Sequence, residues 1–363
     1  MKTVVHVVGA RPNYMKIAPL MDAMKDASGI RQLLVNTGQH YDDAMSKAFL
    51  RELGLPKPDR DLEVGSASHA VQTAKVMIGF EQVCLQDRPD LVVVVGDVNS
   101  TMAATLVAAK LMIPVAHLEA GLRSFDPAMP EEINRVVTDR LADLLLTPSA
   151  DGDENLLKEG VPASKIRLVG NIMIDTLLRH RPLATLDRIR DRVDVRANAY
   201  AVMTLHRPSN VDDPVVLRRI LDAIAEVAKE MPVVFPVHPR TRDRLKAFAS
   251  GDLLANVILT EPMGYIDFLS LTSNARIILT DSGGLQEEST ALGIPCLTMR
   301  ENTERPVTIT HGTNRLVGTQ TAAILDGYLA AMADTPDPTR RPPLWDGKTA
   351  GRVSSVLQEF LLG

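Results

Sequence analysis

Short apolar runs rich in β-branched residues alternate with longer amphipathic stretches along almost the whole chain. In the first half, the apolar runs predict strands at residues 3–8, 32–36, 91–95, 114–119 and 144–147. Between these runs, the apolar residues of segments 68–86 and 101–112 recur with helical spacing. Continuous apolar strands separated by helices are typical of a parallel sheet that is covered on both faces.

The same alternation begins again in the second half of the chain. The apolar runs there predict strands at residues 199–205, 233–237, 256–260, 276–280 and 295–299. The charged stretch 178–200 lacks a strong apolar period, which favours a linker. We therefore predict an α/β fold of two Rossmann-like, doubly wound parallel-sheet domains that face a cleft. Their predicted bounds are 1–177 and 178–345, with a C-terminal helix over 346–363 that packs back on the first domain.

Composition narrows the class of protein. The 363 residues carry a formal net charge of −5, which argues against nucleic acid as a partner, because phosphate backbones select basic surfaces. No apolar run approaches the ~20 residues of a membrane span, and the first residues lack the pattern of a signal peptide. Cys84 and Cys296 are far apart in the sequence and are interpreted as structural thiols of a reducing compartment. We therefore expect a cytoplasmic protein with no membrane contact.

Polar residues that follow predicted strands are the first candidates for a site, because parallel sheets bind ligands beyond the carboxyl ends of their strands. Arg11 follows the first strand, and Lys16 lies about one turn into the next helix. Together with the helix N-terminus, the pair suits an anion, although Lys16 alone reads as a surface lysine. After the second strand, Gln39 and His40 suit either a site or a helix cap.

Three acids follow in the first half. Asp97 and Glu119 end two strands of the same predicted sheet, and Glu131 lies in the first turn of a helix. If Glu131 folds back over the sheet edge, the three carboxylates meet, and one can accept a proton while another donates one. Other interpretations remain: Asp97 as a turn residue, Glu131 paired with Arg135 on one helix face, and Glu132 as an ordinary helix-start acid.

In the second half, two strand exits carry histidine and arginine. His206 and Arg207 follow one predicted strand, and His238, Arg240 and Arg242 follow the next. A single histidine after a strand is usually structural, but two such exits in one domain favour anion binding. Neither histidine has the spacing of a metal site, so we predict no metal.

The stretch 281–289, DSGGLQEES, follows an apolar strand and opens a helix. Gly283 and Gly284 allow close approach of the backbone, and the free N–H groups of the new helix then face a phosphate. No lysine follows the glycines as in a P-loop, and the GxGxxG pattern is absent. Glu288, one turn further on, is placed for the hydroxyls of a ribose. The alternative is a glycine-containing helix cap with ordinary helix-start acids.

The ordered set of motifs is more specific than any one of them. In chain order they read GARPNYMKIAPL, TGQHYDD, GDVNST, HLEAGLRS, PEEINR, GNIMIDTL, TLHRPSN, PVHP and DSGGLQEES. In this set the chain resembles the UDP-N-acetylglucosamine 2-epimerases of the non-hydrolysing bacterial and archaeal type, over residues 1 to about 320. The resemblance implies a GT-B-like pair of domains, a homodimer, and interconversion of UDP-GlcNAc and UDP-ManNAc with neither metal nor NAD.

The resemblance also implies roles for particular residues. The positions that match the family's catalytic groups are Asp97, Glu119, Glu131 and His206. The positions that match polar substrate contacts are Arg11, Lys16, Arg135 and His238. Arg207 is a further candidate substrate contact, because it directly follows a predicted strand. The positions that match the UDP seat are Phe268, Ser282, Gly283, Gly284 and Glu288. The implied mechanism eliminates UDP across C1–C2, holds 2-acetamidoglucal, and adds UDP back after protonation of the other face.

Other functions fit the same motifs. A GT-B glycosyltransferase shares the phosphate seat and the domain pair but has no reason to gather three acids. A hydrolysing epimerase, which releases UDP and free ManNAc, uses nearly the same residues. A 2,3-diacetamido UDP-sugar as substrate, and a non-catalytic nucleotide-sugar sensor, are further alternatives.

Overall fold

The computed structural model describes residues 1–39, 52–237, 239–248, 254, 256–334 and 340–363. The chain divides into a first unit, Met1–Thr176 with Pro343–Gly363, and a second unit, Leu177–Pro342. Within these described ranges, no helix combines the length and the apolar character that a bilayer crossing requires.

The first unit is built on one parallel sheet of seven strands. These are β1 (Lys2–Val8), β2 (Ile30–Asn36), β3 (Arg60–Asp61), β4 (Leu91–Val95), β5 (Val115–Leu118), β6 (Leu144–Thr147) and β7 (Ile166–Leu168). Their order across the sheet is β3-β2-β1-β4-β5-β6-β7. Every residue of β4 is fully buried, as expected for a central strand covered on both faces. The strand order reverses between β1 and β4, and doubly wound sheets bind ligands at this point of reversal.

Helices cover this sheet. They are α1 (Arg11–Ala23), α2 (His69–Asp87), α3 (Asn99–Lys110), α4 (Pro130–Leu141), α5 (Ala150–Lys158), the first residues of α6 (Ile172–His180), which continues past Thr176 into the second unit, and, at the C-terminus, α14 (Thr349–Leu362). Helix α14 packs against α1. Asp175 of α6 accepts hydrogen bonds from the backbone N–H groups of Thr349 and Ala350, at 3.1 and 2.7 Å. This carboxylate therefore satisfies free N–H groups at the start of α14 and ties that helix to the first unit.

The second unit repeats the design with six strands. These are β8 (Ala201–Thr204), β9 (Val233–Pro236), β10 (Val257–Thr260), β11 (Ile277–Thr280), β12 (Cys296–Thr298) and β13 (Asn314–Leu316). They form a parallel sheet in the order β10-β9-β8-β11-β12-β13, which reverses between β8 and β11. The prediction of two parallel-sheet α/β domains is confirmed.

Seven described helices flank the second sheet: α7 (Pro208–Val211), α8 (Pro214–Glu230), α9 (Pro239–Phe248), α10 (Tyr265–Ser273), α11 (Gly283–Leu292), α12 (Val307–Thr310) and α13 (Thr321–Ala333). Helix α8 shows why such helices form. Its N-cap Asp213 accepts from two backbone N–H groups, and Pro214 occupies the first helical position. Its apolar side chains recur at helical spacing and are buried: Leu217, Ile220, Leu221, Ile224 and Val227.

Two features differ from the sequence-based expectation. Strands β3, β7 and β13 have two or three residues each, too few for a recognisable apolar run. The charged stretch expected to be a linker contains the 3-10 helices Arg181–Leu183 and Leu186–Ile189. Ile189 and Val193 from this stretch are buried in the core of the second unit. Tyr200, at the end of the stretch, joins the same core, so apolar residues spaced among the charged ones anchor the segment.

Candidate active site

In the first unit, Lys16 and Glu119 form a buried ion pair between Nζ and Oε2. Asn13 brings α1 against the sheet, because its Oδ1 accepts from the N–H groups of Gly9 and Ala10 while its Nδ2 donates to the Val95 carbonyl. Lys16, one turn later on α1, is only 6% exposed. Its interpretation as a surface lysine is therefore wrong.

Glu119 stands on strained backbone directly after β5. Its φ of 77° lies in the left-handed region, which is uncommon for residues other than glycine and often marks functional sites. Gly96 also has a left-handed φ, of 67°, and a Cβ there would lie 3.3 Å from Glu119 Oε2 and 3.2 Å from Lys16 Nζ. The Glu119 carboxylate thus lies against the residue that precedes Asp97. The structure brings these two acids to one edge of the sheet.

Asp97 is held by Arg135. Arg135 Nη1 donates to Asp97 Oδ2 at 2.5 Å, and Arg135 Nη2 donates to Glu132 Oε2 at 2.6 Å. Burial by itself raises the pKa of Glu132, but hydrogen bonds from the Ser124 N–H and from Arg135 outweigh it and leave the pKa below its ordinary value. Glu132 is therefore a buried anchor for Arg135, and its interpretation as an ordinary helix-start acid is wrong. The i,i+3 spacing of the two residues was the available signal.

Glu131 lies apart from these pairs. It is exposed in the first turn of α4. Among the described residues, no hydrogen bond or ion pair joins it to Asp97, Glu119 or Arg135. Arg11 is likewise exposed, at the first residue of α1. The structure therefore unites two of the three predicted acids, and each of the two pairs with a cation.

In the second unit, His206 and Arg207 follow β8 and meet Asp281, which follows β11. Asp281 is fully buried, and its carboxylate accepts from the backbone N–H groups of His206 at 3.0 Å and Arg207 at 2.8 Å. Asp281 Oδ1 lies 2.7 Å from His206 Nδ1. Burial alone raises the pKa of Asp281, but the hydrogen bond and charge of His206 and the two N–H groups hold it below its ordinary value. Sequence reasoning missed this role, because an aspartate after a strand reads as a turn residue.

The two glycines at the start of α11 differ in their surroundings. A Cβ on Gly283 would lie 2.7 Å from Arg305 Nη1 and from Glu304 Oε1, so packing accounts for that glycine. A Cβ on Gly284 would meet nothing within 4 Å. Ser282 is the N-cap of the helix, and its hydroxyl makes no capping hydrogen bond. The space beside Gly284 is therefore the part of this helix start that is open to a ligand.

Basic side chains lie close to this helix start. Arg207 Nη2 is 3.7 Å from Glu304 Oε1, and Arg300 and Arg305 also pair with Glu304. Burial raises the pKa of Glu304, but the charges of Arg305, Arg300 and Arg207 outweigh it and lower the pKa strongly. Arg305 also pairs with the buried carboxylate of Glu287, so two carboxylates lie among these three guanidinium groups, whose N–H groups are donors of the type that phosphates prefer.

Glu288 lies on the second turn of α11 and is buried. Burial, followed by the charge of Glu287, raises its pKa from 4.5 to about 8, and a hydrogen bond with Tyr265 offsets only part of this shift. Phe268, on α10, is half-buried against the core of the second unit. His238 and His40 lie outside the described residues, as does the side chain of Arg240.

Comparison with known proteins identifies the family. The model of the UDP-N-acetylglucosamine 2-epimerase family matches residues 22–358. The chain belongs to the UDP-N-acetylglucosamine 2-epimerase family. It is 40% identical to the UDP-N-acetylglucosamine 2-epimerase of Methanocaldococcus jannaschii, over 97% of each chain. The crystal structure of that epimerase in complex with UDP-GlcNAc and UDP has a TM-score of 0.90 and covers 99% of this chain and 100% of its own.

These relatives confirm the family resemblance, the GT-B-like fold and the activity class of an epimerase. A relative from Pseudomonas aeruginosa, a UDP-2,3-diacetamido-2,3-dideoxy-D-glucuronate 2-epimerase, is 38% identical over 98% of each chain. A glycosyltransferase from Rickettsia africae is 13% identical, with a TM-score of 0.57, and shares the fold alone. No group of three or more His, Cys, Asp or Glu side chains in the described part of this epimerase is arranged to hold a metal ion.

Proposed function

We propose that the protein interconverts UDP-GlcNAc and UDP-ManNAc by reversible inversion at C2. The observation that carries the proposal is the pair of acids in the first unit: Asp97 and Glu119 end neighbouring strands, and each is paired with a buried cation. Inversion at C2 needs one group that removes a proton from one face of the sugar and one that returns a proton to the other face. The family and the M. jannaschii relative support the choice of substrate.

The reaction proceeds by elimination and re-addition. A carboxylate takes the C2 proton, the C2–H electron pair forms the C1=C2 double bond, and the C1–O bond breaks as UDP leaves with its electron pair. Addition of a proton to the other face of C2 and attack of a UDP oxygen on C1 complete the inversion. The intermediate is 2-acetamidoglucal. Asp97 and Glu119 carry the proton transfers in this proposal, and Glu131 is the third candidate acid.

The second unit holds UDP in this proposal. The departing UDP carries negative charge, which the N-terminus of α11 and His206 stabilise. The open space beside Gly284 suits a phosphate, and Ser282 and Arg207 are adjacent donors. Phe268 offers a ring face to the uracil, and Glu288 addresses the ribose hydroxyls. His238 and, in the first unit, Arg11 are further candidate contacts.

A second candidate substrate is a UDP-sugar with acetamido groups at both C2 and C3. The specific support is the P. aeruginosa relative, whose identity of 38% is close to the 40% of the M. jannaschii relative. Elimination across C1–C2 is the same for both sugars, because the C3 substituent takes no part in it. The two substrates therefore require the same acids and differ only in the pocket around C3.

The proposal includes a homodimer, and the first unit carries a candidate surface for it. On α2, three large apolar residues recur every seven positions and are exposed: Val71, Ile78 and Leu85. A seven-residue apolar repeat on one helix face is typical of packing against another helix. Because exposed apolar stripes are costly in a monomer, a second copy of the chain is the partner that covers this one.

Proton NMR of UDP-GlcNAc with the purified enzyme in D2O, without added metal or NAD, tests the reaction. Accumulation of UDP-ManNAc with deuterium at C2 is the expected result. Release of UDP and free ManNAc would instead identify a hydrolysing epimerase. An unchanged spectrum would rule out UDP-GlcNAc, and the same experiment with the 2,3-diacetamido UDP-sugar would then test the second candidate.

A further inference from the structure

A buried pair, His117 and Asp139, lies directly behind the two acids of the first unit. His117 is on β5, two residues before Glu119, and Asp139 is on α4. His117 Nδ1 lies 2.6 Å from Asp139 Oδ1, and His117 Nε2 lies 2.9 Å from the carbonyl oxygen of Gly96. Gly96 directly precedes Asp97, and His117 itself lies on the strand that ends before Glu119. The pair is therefore linked to the backbone beside both acids.

The hydrogen bonds define which groups of the pair donate and which accept. The Gly96 carbonyl can only accept, so His117 Nε2 donates to it. At the other nitrogen, Asp139 accepts: its second oxygen already accepts from the Gly121 N–H at 3.1 Å and from Arg123 Nη1 at 2.7 Å. Burial alone raises the pKa of Asp139, but the charges and hydrogen bonds of His117 and Arg123 outweigh it and lower the pKa. The His117 ring therefore links the Gly96 carbonyl to the carboxylate of Asp139.

The neighbouring charges are balanced. Arg123, which donates to Asp139, also donates from Nε to Glu159 Oε1 at 2.7 Å. This arginine therefore has a carboxylate of its own besides Asp139. On the other side of Gly96, Lys16 and Glu119 neutralise one another. A buried charged group is stable only when it is paired and hydrogen-bonded. Asp139, Arg123, Lys16 and Glu119 all meet this condition.

The pair holds left-handed backbone on both sides of the site, and this backbone is strained at Glu119. Gly96, Glu119 and Gly121 have φ angles of 67°, 77° and 81°. Asp139 reaches Gly96 through His117 and reaches Gly121 directly. Gly121 admits no side chain, because a Cβ would lie 2.4 Å from the Gly152 carbonyl oxygen. One carboxylate thus anchors the residue before Asp97 and the residue two positions after Glu119.

We propose that Asp139 and His117 are positioning residues that fix Asp97 and Glu119 relative to one another for the two proton transfers at C2. The inference rests on the proposed function and deepens it. A displacement of about 1 Å between catalytic groups can cost about 100-fold in rate, so the pair has a large effect although it touches no substrate. Apart from Arg11, the uracil and diphosphate contacts in our proposal lie in the other unit, so we expect UDP affinity to depend little on the pair.

His117→Gln and Asp139→Asn are the test variants, and His6→Gln is the matched control. His6 is equally buried, on β1 of the same sheet, and bonds only to Gln32 among the described residues. The concentration of folded sites in each variant is measured by UDP binding, and kcat is expressed per site. We expect kcat to fall about 10- to 100-fold in His117→Gln and Asp139→Asn, and the KM for UDP-GlcNAc to stay within about 2-fold of the wild-type value. His6→Gln is expected to keep kcat per site. Equal kcat in His117→Gln and His6→Gln would overturn the proposal.

A ratio separates positioning from simple loss of folded protein. In D2O, the deuterium gained by recovered UDP-GlcNAc is compared with the UDP-ManNAc formed. Loss of folded enzyme lowers both quantities equally, whereas misplacement of one acid changes their ratio. We expect an altered ratio in Asp139→Asn and an unchanged ratio in His6→Gln. A ratio equal to that of the wild type in both His117→Gln and Asp139→Asn refutes the proposal.

Nitrogen-15 NMR of the full-length wild-type protein tests the pair without any substrate. We expect a proton on His117 Nε2 that is protected from exchange by its hydrogen bond to the Gly96 carbonyl, and faster exchange of this proton in Asp139→Asn. An unprotected or absent Nε2 proton in the wild type would overturn the inference. Failure of the wild type to epimerise either UDP-sugar would refute the proposed function instead. The nitrogen-15 measurement needs no substrate, so its result on His117 is independent of that failure.

Discussion

His206 and Asp281 contact one another across two strand exits, with Nδ1 of the histidine 2.7 Å from Oδ1 of the aspartate. The pair exists because β8 and β11 are neighbours at the point where the sheet order reverses. Asp281 is fully buried and fixed by backbone N–H groups, whereas the His206 side chain is 55% exposed. The contact at Nδ1 fixes the orientation of the His206 ring, and Nε2 can then contact a ligand.

Asp281→Asn is expected to lower kcat about 10- to 100-fold and to reduce the free energy of unfolding at neutral pH by about 3 kcal/mol. The pKa of Asp281 is lowered in the folded state, so its stabilisation is present above the ordinary Asp pKa of about 3.9 and is lost as the pH falls through the lower folded value. Urea unfolding at neutral and acid pH measures this difference. A variant as stable as the wild type at pH 7 would contradict it.

Asp97→Asn is expected to abolish epimerisation, because the amide can neither accept the C2 proton nor balance Arg135. UDP affinity is expected to stay within about 2-fold, since the UDP contacts proposed here, apart from Arg11, lie in the other unit. Turnover is measured by NMR and UDP binding by calorimetry on the same sample. Turnover close to that of the wild type would remove Asp97 from the mechanism.

Lys16→Met is expected to lower the free energy of unfolding by about 3–5 kcal/mol, because Glu119 then remains buried without its cation. Lys2→Met is the control: Lys2 forms a 3.0 Å ion pair with Asp90, but its side chain is 45% exposed. That exposed pair should contribute about 1 kcal/mol or less. Denaturant unfolding of both variants at neutral pH gives the comparison, and equal losses would show that burial of the Lys16–Glu119 pair is unimportant.

Glu288→Gln is expected to stabilise the free protein at alkaline pH. The pKa of Glu288 is raised from 4.5 to about 8, so the unfolded chain releases the proton first and wild-type stability falls as the pH rises between these values. Melting temperatures of the two proteins should therefore coincide near pH 4 and diverge toward pH 9, with the glutamine variant higher. A constant difference across this range would show that Glu288 ionises normally.

Ile78→Glu is expected to convert the proposed homodimer into a monomer, because it places a charge in the centre of the apolar stripe on α2. Leu329→Glu is the control, since Leu329 is a comparably exposed apolar residue on α13 of the second unit. Light scattering coupled to size exclusion measures the mass of each. A wild-type monomer, or an Ile78→Glu dimer, would exclude this surface as the interface.

The sequence by itself determined the two-domain α/β architecture, the family and the strand exits at which the candidate site residues lie. These features depend on residues that are adjacent in the sequence: an apolar run predicts a buried strand, and a motif such as DSGG spans a few consecutive positions. The only described strands that escaped prediction are β3, β7 and β13, which are too short to show a period.

Only the tertiary structure decided which charges meet. Lys16 and Glu119 are 103 positions apart, and His206 and Asp281 are 75 apart, so no local pattern links them. Parallel strands joined by helices bring such residues to one sheet edge, and burial then requires that each charge find a partner there. For this reason Lys16 reads as a surface residue in the sequence and is buried beside Glu119 in the folded protein, and no local pattern marks His117 and Asp139 as partners.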